Sequence, residues 1–305
     1  MNEYENADKK QQDIIDEINE KNKQEIDLEP VYSEEGAEDN IAPADLFEYE
    51  IINDGSVASS YMQSLPTKTA KITGIKPEYI DRQSIDYVWY YKIKYDGITD
   101  VLVIPYQAEL DENGNVTENG EMYKITEVDL SIKGYKEWDY YYGSSFPSIE
   151  KVIYPNTVEK IGSSENLGDG HVLNQPSEII LSKNLISIGN YAFYECSSLT
   201  NIEIPEGVTS IGNEAFSSSG ISSIEIPESV TSIGDYAFQS SDELKEIVIP
   251  RSVKYIGRGA FYIWNSDLTI YFECSEDESK NWDTDWKKGC DANIVWNYNP
   301  DEEIE

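Results

Sequence analysis

A short acidic and amide-rich loop holds the best candidates for metal ligands. In DENGNVTENG, Asp111, Asn113 and Asn115 alternate as the oxygen ligands do at the start of an EF-hand calcium loop. That loop requires a glycine at its sixth position and an acidic residue at its twelfth, where this sequence has Val116 and Met122. Asn-Gly occurs twice in the same stretch and is typical of a tight turn. We therefore expect a solvent-exposed turn between strands and no metal site.

Histidine or cysteine catalysis has equally little support. His171 is the single histidine, and no nucleophile motif lies near it in GDGHVLNQP, so we expect a surface loop residue. Cys196 is expected to pack as a small hydrophobic residue. Cys274 and Cys290 bracket a short segment near the C terminus. They could form a disulfide, as an extracellular protein would allow, but the sequence does not give their separation.

Composition excludes several classes of partner. The 305 residues include 59 acidic and 23 basic side chains, for a net charge of −36. Nucleic acid and anionic membranes would be repelled by this charge. No apolar run approaches the roughly 18 residues of a membrane span. The first thirty residues lack the apolar core of a signal peptide, so this chain is either cytosolic or shown without its leader.

The N-terminal tract differs from the rest of the chain. Residues 1–50 contain 17 acidic and 4 basic residues and few aromatic ones. Such a composition buries too little apolar surface to offset the entropy of ordering. We expect residues 1–44 to be a disordered acidic spacer whose removal leaves the Tm nearly unchanged. An acidic interaction tail is the alternative interpretation.

An internal repeat governs the remainder of the chain. The repeated segments are 177–193, 199–216, 221–238 and 244–261, and 148–162 is an earlier partial copy. A glycine recurs at intervals of 23, 22 and 23 residues, and a phenylalanine four residues later keeps the same intervals. These positions are Gly189, Gly212, Gly234 and Gly257, and Phe193, Phe216, Phe238 and Phe261. A period of 22–23 falls in the range of leucine-rich repeats.

Each part of the repeat has a physical reason. In Ile202-Glu203-Ile204 the isoleucines face one side of a strand and the glutamate faces the other. Pro205 then ends the strand, because proline has no N–H to donate. The repeat glycine is expected to adopt a backbone geometry that other residues resist, and Ala-Phe supplies a large buried plug. One coil cannot bury its own apolar face, so neighbouring coils must stack.

The unit L-x-x-I-x-I-P-x-x-V-x-x-I-G-x-x-A-F resembles the BspA-like leucine-rich repeat of bacterial surface and secreted proteins. Segments within 47–128 are similar to the family's N-terminal hairpin and first, irregular repeat, and 268–298 is similar to its terminal segment. The resemblance covers about residues 45–298 and departs at 135–147 and 163–176. It implies a repeat solenoid, mainly β with short helical or 3-10 turns, in a right-handed coil with N- and C-terminal caps.

This organisation divides the chain into four parts. They are the spacer at 1–44, an N-terminal hairpin and irregular first repeat at 45–145, repeats of 22–27 residues at 146–273, and a C-terminal cap with an acidic tail at 274–305. Trp282, Trp286 and Trp296 are expected to form the core of the cap, because a solenoid must cover its last coil.

Two surfaces are candidate binding sites. The first is the outward face of the strands, expected at Ile153, Ile180, Glu203, Glu225 and Val248. The second is an aromatic run, Trp138, Tyr140, Tyr141 and Tyr142. Consecutive aromatics cannot all face one core, and exposed Tyr and Trp are typical recognition residues. The alternatives are a merely solvated sheet face and packing of the aromatic run across the early coils.

The sequence thus predicts a non-enzymatic binding module without cofactor or metal, and we expect a monomer. The resemblance implies a cell-surface or secreted adhesion protein that binds a protein or other cell-surface macromolecule. A cytoplasmic leucine-rich-repeat scaffold is the main alternative. A carbohydrate-active enzyme using paired carboxylates is a remote one, because no cleft is evident in which to place them.

Overall fold

A computed structural model describes most of the chain outside its N-terminal tract. The described residues are 32, 37, 41–53, 68–76, 80–85, 88–93, 101–118, 120–132, 149–162, 170–171, 176–264 and 267–300. All of them lie in the compact unit Tyr32–Glu305.

The N-terminal part is built from hairpins. A 3-10 helix at Ala44–Leu46 leads into strands. They are β1 (Phe47–Asn53), β2 (Thr69–Ile75), β3 (Ile80–Ile85), β4 (Val88–Ile93), β5 (Val101–Val103), β6 (Gln107–Leu110), β7 (Glu121–Val128) and β8 (Ser131–Ile132). The pairs β1–β2, β3–β4 and β6–β7 are antiparallel, whereas β2 and β7 are parallel. The N-terminal part therefore combines three antiparallel strand pairs with one parallel pair.

Most of the repeats that follow are coils with two short strands. The first strand of a coil carries the Ile-x-Ile pattern, and the second carries the isoleucine before the repeat glycine. The first strands are β9 (Lys151–Ile153), β12 (Glu178–Ile180), β15 (Ser223–Glu225), β17 (Glu246–Ile249), β19 (Thr269–Phe272) and β20 (Asn293–Trp296). The second strands are β10 (Lys160–Ile161), β13 (Ser187–Ile188), β14 (Ser210–Ile211), β16 (Ser232–Ile233) and β18 (Tyr255–Ile256).

Parallel pairing stacks these coils in the register of the repeat. The second strands continue from β7 in the order β10-β13-β14-β16-β18. The first strands form two groups, β5-β9-β12 and β15-β17-β19-β20, and residues 202–204 between the groups are outside any strand. Ile188, Ile211, Ile233 and Ile256 lie directly opposite one another. The predicted β-solenoid is therefore confirmed.

The phenylalanine plugs form a continuous stack inside the solenoid. Successive ring centroids from Phe193 to Phe261 are 5.2, 5.4 and 5.5 Å apart, and the rings of the last two pairs are nearly parallel. Each of these rings is completely buried. Phe261 then meets Trp286 edge-on at 6.3 Å. The stack thus runs from the repeats into the terminal segment.

The repeat glycines allow the close approach of neighbouring coils, which corrects the expectation of a special backbone geometry. A Cβ at Gly212 would lie 2.5 Å from the backbone N of Asn190, and one at Gly234 would lie 2.6 Å from the N of Asn213. Neither glycine has a positive φ. Positive φ values occur two residues later, at Glu214 and its counterparts.

The terminal segment covers the last coils. It contains a 3-10 helix at Glu276–Asn281. Trp282 and Trp286 are buried against Phe272, and the half-buried Trp296 stacks on the same ring at a centroid distance of 4.5 Å. The three tryptophans therefore form the cap core that the sequence predicts.

The possible disulfide between Cys274 and Cys290 is not formed, since all three cysteines are free. Cys274 follows the end of β19, whereas Cys290 precedes the start of its parallel neighbour β20. The two residues lie at opposite ends of strands that rise about 3.3 Å per residue, and a disulfide requires Cα atoms within about 7 Å. Burial raises the pKa of both thiols, which disfavours the reactive thiolate.

Candidate functional site: the outer face of the first strands

The first strands present one face to the core and the other outwards. In β15, Ile224 is buried and Glu225 is exposed, and Ile226 is buried again after the strand ends. This alternation defines the outer face, which consists of the residues between the two inward positions of each coil. From the N-terminal end these residues are Val103, Ile153, Ile180, Glu203, Glu225, Val248, Tyr271 and Val295.

The N-terminal end of the outer face is covered by the chain itself. Val103 and Ile153 are paired in register, and they are only 1% and 2% exposed. Tyr32 forms a bridge with Pro155 beside Ile153, and Ile41 forms one with Val103. Ile153 was predicted to be an exposed binding residue. That prediction is wrong, because two residues of an earlier covering segment, Tyr32 and Ile41, lie beside these strands.

The covering segment is held by specific contacts. The Tyr32 hydroxyl donates a hydrogen bond of 2.7 Å to the carbonyl oxygen of Ile104, and the N–H of Ala42 donates one of 2.9 Å to Val103. Tyr32, Ala37 and Ala42 are buried. These residues fall within the predicted spacer, so its boundary at residue 44 lies too far along the chain. For residues 1–31 the spacer stays a prediction.

The centre of the outer face is acidic. Glu203 and Glu225 are exposed, and Glu206 and Glu228 follow the prolines of the same two coils. Burial, the charges of Glu273 and Glu206 and a hydrogen bond with Glu273 raise the pKa of Glu228. Within the part of the chain that the structure describes, four carboxylates form no ion pair, namely those of Glu203, Glu206, Glu225 and Glu228. The centre is thus a patch of unneutralised negative charge.

The C-terminal end of the outer face is more apolar. Val248, Tyr271 and Val295 lie side by side in register, and each is half-buried. The Tyr271 ring packs against Tyr298 at a centroid distance of 4.6 Å. Ile180 is half-buried on the other side of the acidic centre. Four of the five predicted face residues therefore remain on an accessible surface.

The aromatic run and the single histidine were also considered as sites. Trp138, Tyr140, Tyr141 and Tyr142 lie outside the described residues. His171 belongs to a two-residue strand, β11 (Gly170–His171), that pairs with β8, which corrects the expected loop position.

The loop that follows β6 is a turn, as predicted. The Asp111 carboxylate accepts the backbone N–H groups of Asn113 and Asn115 at 2.8 and 2.9 Å. Hydrogen bonds from Asn115 and Asn113 hold the pKa of Asp111 below its usual value. Over the described ranges, no group of acidic, histidine or cysteine side chains is arranged to hold a metal ion.

Glu206 and Glu228 are exposed acidic residues that follow the outer face in the chain and that the sequence predictions omitted. The signal for them is the pentapeptide I-E-I-P-E, which occurs in two consecutive repeats at 202–206 and 224–228. Its second glutamate follows the proline and is exposed in both coils.

In the described segments, no helix is long and apolar enough to cross a bilayer.

Comparisons with known proteins agree with this architecture. Residues 174–279 match the BspA type leucine-rich repeat region in six copies. No curated protein matches the chain significantly.

Solved structures of leucine-rich repeat proteins resemble the chain at low identity. One from T. pallidum is 20% identical, with 66% of this chain and 86% of that one covered and a TM-score of 0.40. One from Bacteroides ovatus is 14% identical, with coverages of 82% and 89% and a TM-score of 0.30. A leucine-rich cell surface protein from Faecalibacterium prausnitzii is 18% identical, with coverages of 67% and 70% and a TM-score of 0.26.

Proposed function

We propose that this chain, whose residues 174–279 are a BspA-type leucine-rich repeat region, is a non-enzymatic adhesion module that acts at the cell surface or after secretion. It binds a partner protein through the outer face of its first strands. The observation that carries this proposal is the row of unneutralised carboxylates at Glu203, Glu206, Glu225 and Glu228.

Two properties make this face suited to a protein partner. Its strands are fixed by the buried isoleucines on their inner side, such as Ile224 and Ile247, so little conformational entropy is lost on binding. Its acidic centre lies between apolar residues, Ile180 on one side and Val248 with Tyr271 on the other. A protein partner can offer apolar side chains for the two ends of this face and basic side chains for its centre. The negative charge also steers association with a basic partner.

A crosslinking experiment tests the face. A photoactivatable residue at position 225 is expected to capture a partner on intact source cells. The same residue at Ser240, which is exposed on the corner after Phe238, is the matched control. Reversing charge at two other carboxylates of the patch, in Glu203→Lys with Glu206→Lys, should abolish capture from position 225, and added salt should weaken it. Equal capture from both positions would contradict the proposal.

Surface location is what the family resemblance implies, and protease treatment of intact source cells tests it. Loss of the segment 146–298 on intact cells would support a surface protein. Protection until lysis would favour the cytoplasmic scaffold instead. Cleavage of any member of a polysaccharide panel at enzyme-like rates would overturn the non-enzymatic assignment.

A further inference from the structure

The C-terminal end of the solenoid has an open strand edge. β20 is the last strand of the group β15-β17-β19-β20. Within the described part of the chain, no strand pairs with its outer side. Asn297 and Tyr298 return to β19, where their N–H groups donate to Cys274 and Phe272. The chain that leaves β20 therefore does not turn back along its outer edge at these residues.

The main chain of β20 directs two residues towards this edge. Asn293 donates its N–H to Leu268 at 2.8 Å, so Asn293 and Val295 face β19. In a parallel pair, each residue directs its N–H and its C=O to the same side of the strand, and successive residues alternate between the two sides. Ile294 and Trp296 therefore direct their N–H and C=O groups outwards. These four groups can receive one further strand.

The side chains at this edge are also incompletely covered. Ile270 and Phe272 in β19, which has a paired strand on each side, are completely buried. Ile294 and Trp296 occupy the same inward positions in β20 but are only half-buried. An added strand would cover apolar surface as well as satisfy the backbone.

Two other strand edges of the described structure are protected. At the N-terminal end, Ala42 donates its N–H to Val103 and so closes the edge of β5. At the C-terminal end, Asp283 donates its N–H to Ile256 and covers β18. Exposed edges are usually blocked by lysine, proline or a bulge, and Asn293–Trp296 contains none of these.

We propose that β20 is a docking edge for an extended, basic segment of a partner protein, which adds as the next strand. The charge of the terminal segment selects the partner, since residues 267–300 contain 8 acidic and 3 basic side chains. A second copy of this chain would bring another net charge of −36 and be repelled. The docking strand alternates apolar residues, which cover Ile294 and Trp296, with lysine or arginine. This edge is distinct from the outer face, because main-chain groups form it.

A short synthetic peptide that alternates lysine and valine is the probe, and the full chain is the receptor. We expect saturable binding by fluorescence anisotropy. Methylating the peptide N–H groups along one edge should weaken binding about tenfold for each essential hydrogen bond lost. The corresponding peptide of glutamate and valine should not bind.

Protein variants locate the bound strand. Ile294→Pro removes an outward N–H without removing a bond to β19, and an edge position tolerates proline. Ile294→Ala loses the same side chain but keeps the N–H. We expect the proline variant to bind about tenfold more weakly than the alanine variant. Their melting curves check folding.

Four results would overturn the proposal. These are absence of binding to wild-type protein, equal binding of the methylated peptide, equal binding of the acidic peptide, and concentration-dependent dimerisation of the chain that Ile294→Pro abolishes. Because the methylated peptide is tested on wild-type protein, the experiment remains decisive if the proline variant does not fold.

Discussion

The side-chain oxygen of Asn213 accepts a hydrogen bond of 2.9 Å from the backbone N–H of Asp235, one coil later. The same contact recurs on both sides, from Asn213 to Asn190 at 2.9 Å and from Arg258 to Asp235 at 2.8 Å. After three of the four repeat glycines, at Asn190, Asn213 and Asp235, a side-chain oxygen thus links its coil to the next. A small polar acceptor at this position therefore supports the stacking of coils from outside, as the isoleucines do from inside.

Removing one link should weaken the stack locally. Asn213→Ala leaves the N–H of Asp235 without its acceptor, and we expect a loss of about 1 kcal/mol in the free energy of unfolding. Asn213→Asp retains an acceptor oxygen and is the matched control. Urea denaturation followed by circular dichroism measures both variants. Equal losses in the two would show that the hydrogen bond is not the cause.

The phenylalanine stack predicts a larger effect. Phe238 is completely buried between Phe216 and Phe261, so Phe238→Ala should cost about 3–5 kcal/mol. Phe238→Leu fills more of the space and should cost less. The measurement is again denaturant unfolding, and an unchanged midpoint for the alanine variant would contradict the observed register.

Two truncations distinguish the covering segment from the residues before it. Deletion of residues 1–31 is predicted to leave the Tm unchanged, whereas deletion of residues 1–44 also removes the buried Tyr32 and Ala42. Burial of one large apolar side chain contributes about 1.5–3 kcal/mol, so the second deletion should lower the Tm by several degrees. Calorimetry of both proteins tests this. The same Tm for the two would mean that the covering segment contributes nothing.

The fold and part of the face could be predicted because they follow from the repeat. The spacing of Ile, Gly and Phe fixes which side chains meet across coils, and Glu203 and Glu225 follow from strand alternation. Ile153 has the same pattern, but its exposure depends on Tyr32, more than a hundred residues earlier and inside an acidic tract. Whether Cys274 and Cys290 come close enough for a disulfide depends on the order and direction of the strands in the cap. Contacts between distant segments of this kind leave no periodic signal in the sequence.

Stability should depend on pH in a defined direction. Burial raises the pKa of Glu214, and burial with neighbouring carboxylates raises that of Glu228, above a usual value of 4.5. A raised folded-state pKa means that the folded protein holds the proton more tightly. These two groups therefore contribute stability below about pH 4.5 and lose it as the pH rises through their folded pKa values.

Two other carboxylates act in the opposite direction. Hydrogen bonds lower the pKa of Asp111 and of Glu278, so their contribution is lost as the pH falls through their folded values. We expect the Tm to rise on mild acidification from pH 7 towards about 4.5 and to fall below that range. Glu214→Gln should show a smaller rise than wild type. A rise of the same size would show that Glu214 does not contribute.

Substitutions can separate two backbone requirements within a repeat, namely the close approach of neighbouring coils at the glycine and a left-handed backbone at other positions. A Cβ at Gly212 would lie 2.5 Å from two backbone atoms, N of Asn190 and C of Gly189, so Gly212→Ala should destabilise by about 3 kcal/mol. Ser218 has a φ of 57°, and this left-handed backbone costs a non-glycine residue about 1 kcal/mol, which glycine would not incur. Glycine also has more entropy to lose on folding, so Ser218→Gly should change stability by less than about 1 kcal/mol. Denaturant unfolding of both variants checks this contrast. Destabilisation of similar size in the two would mean that coil spacing is not what requires the repeat glycine.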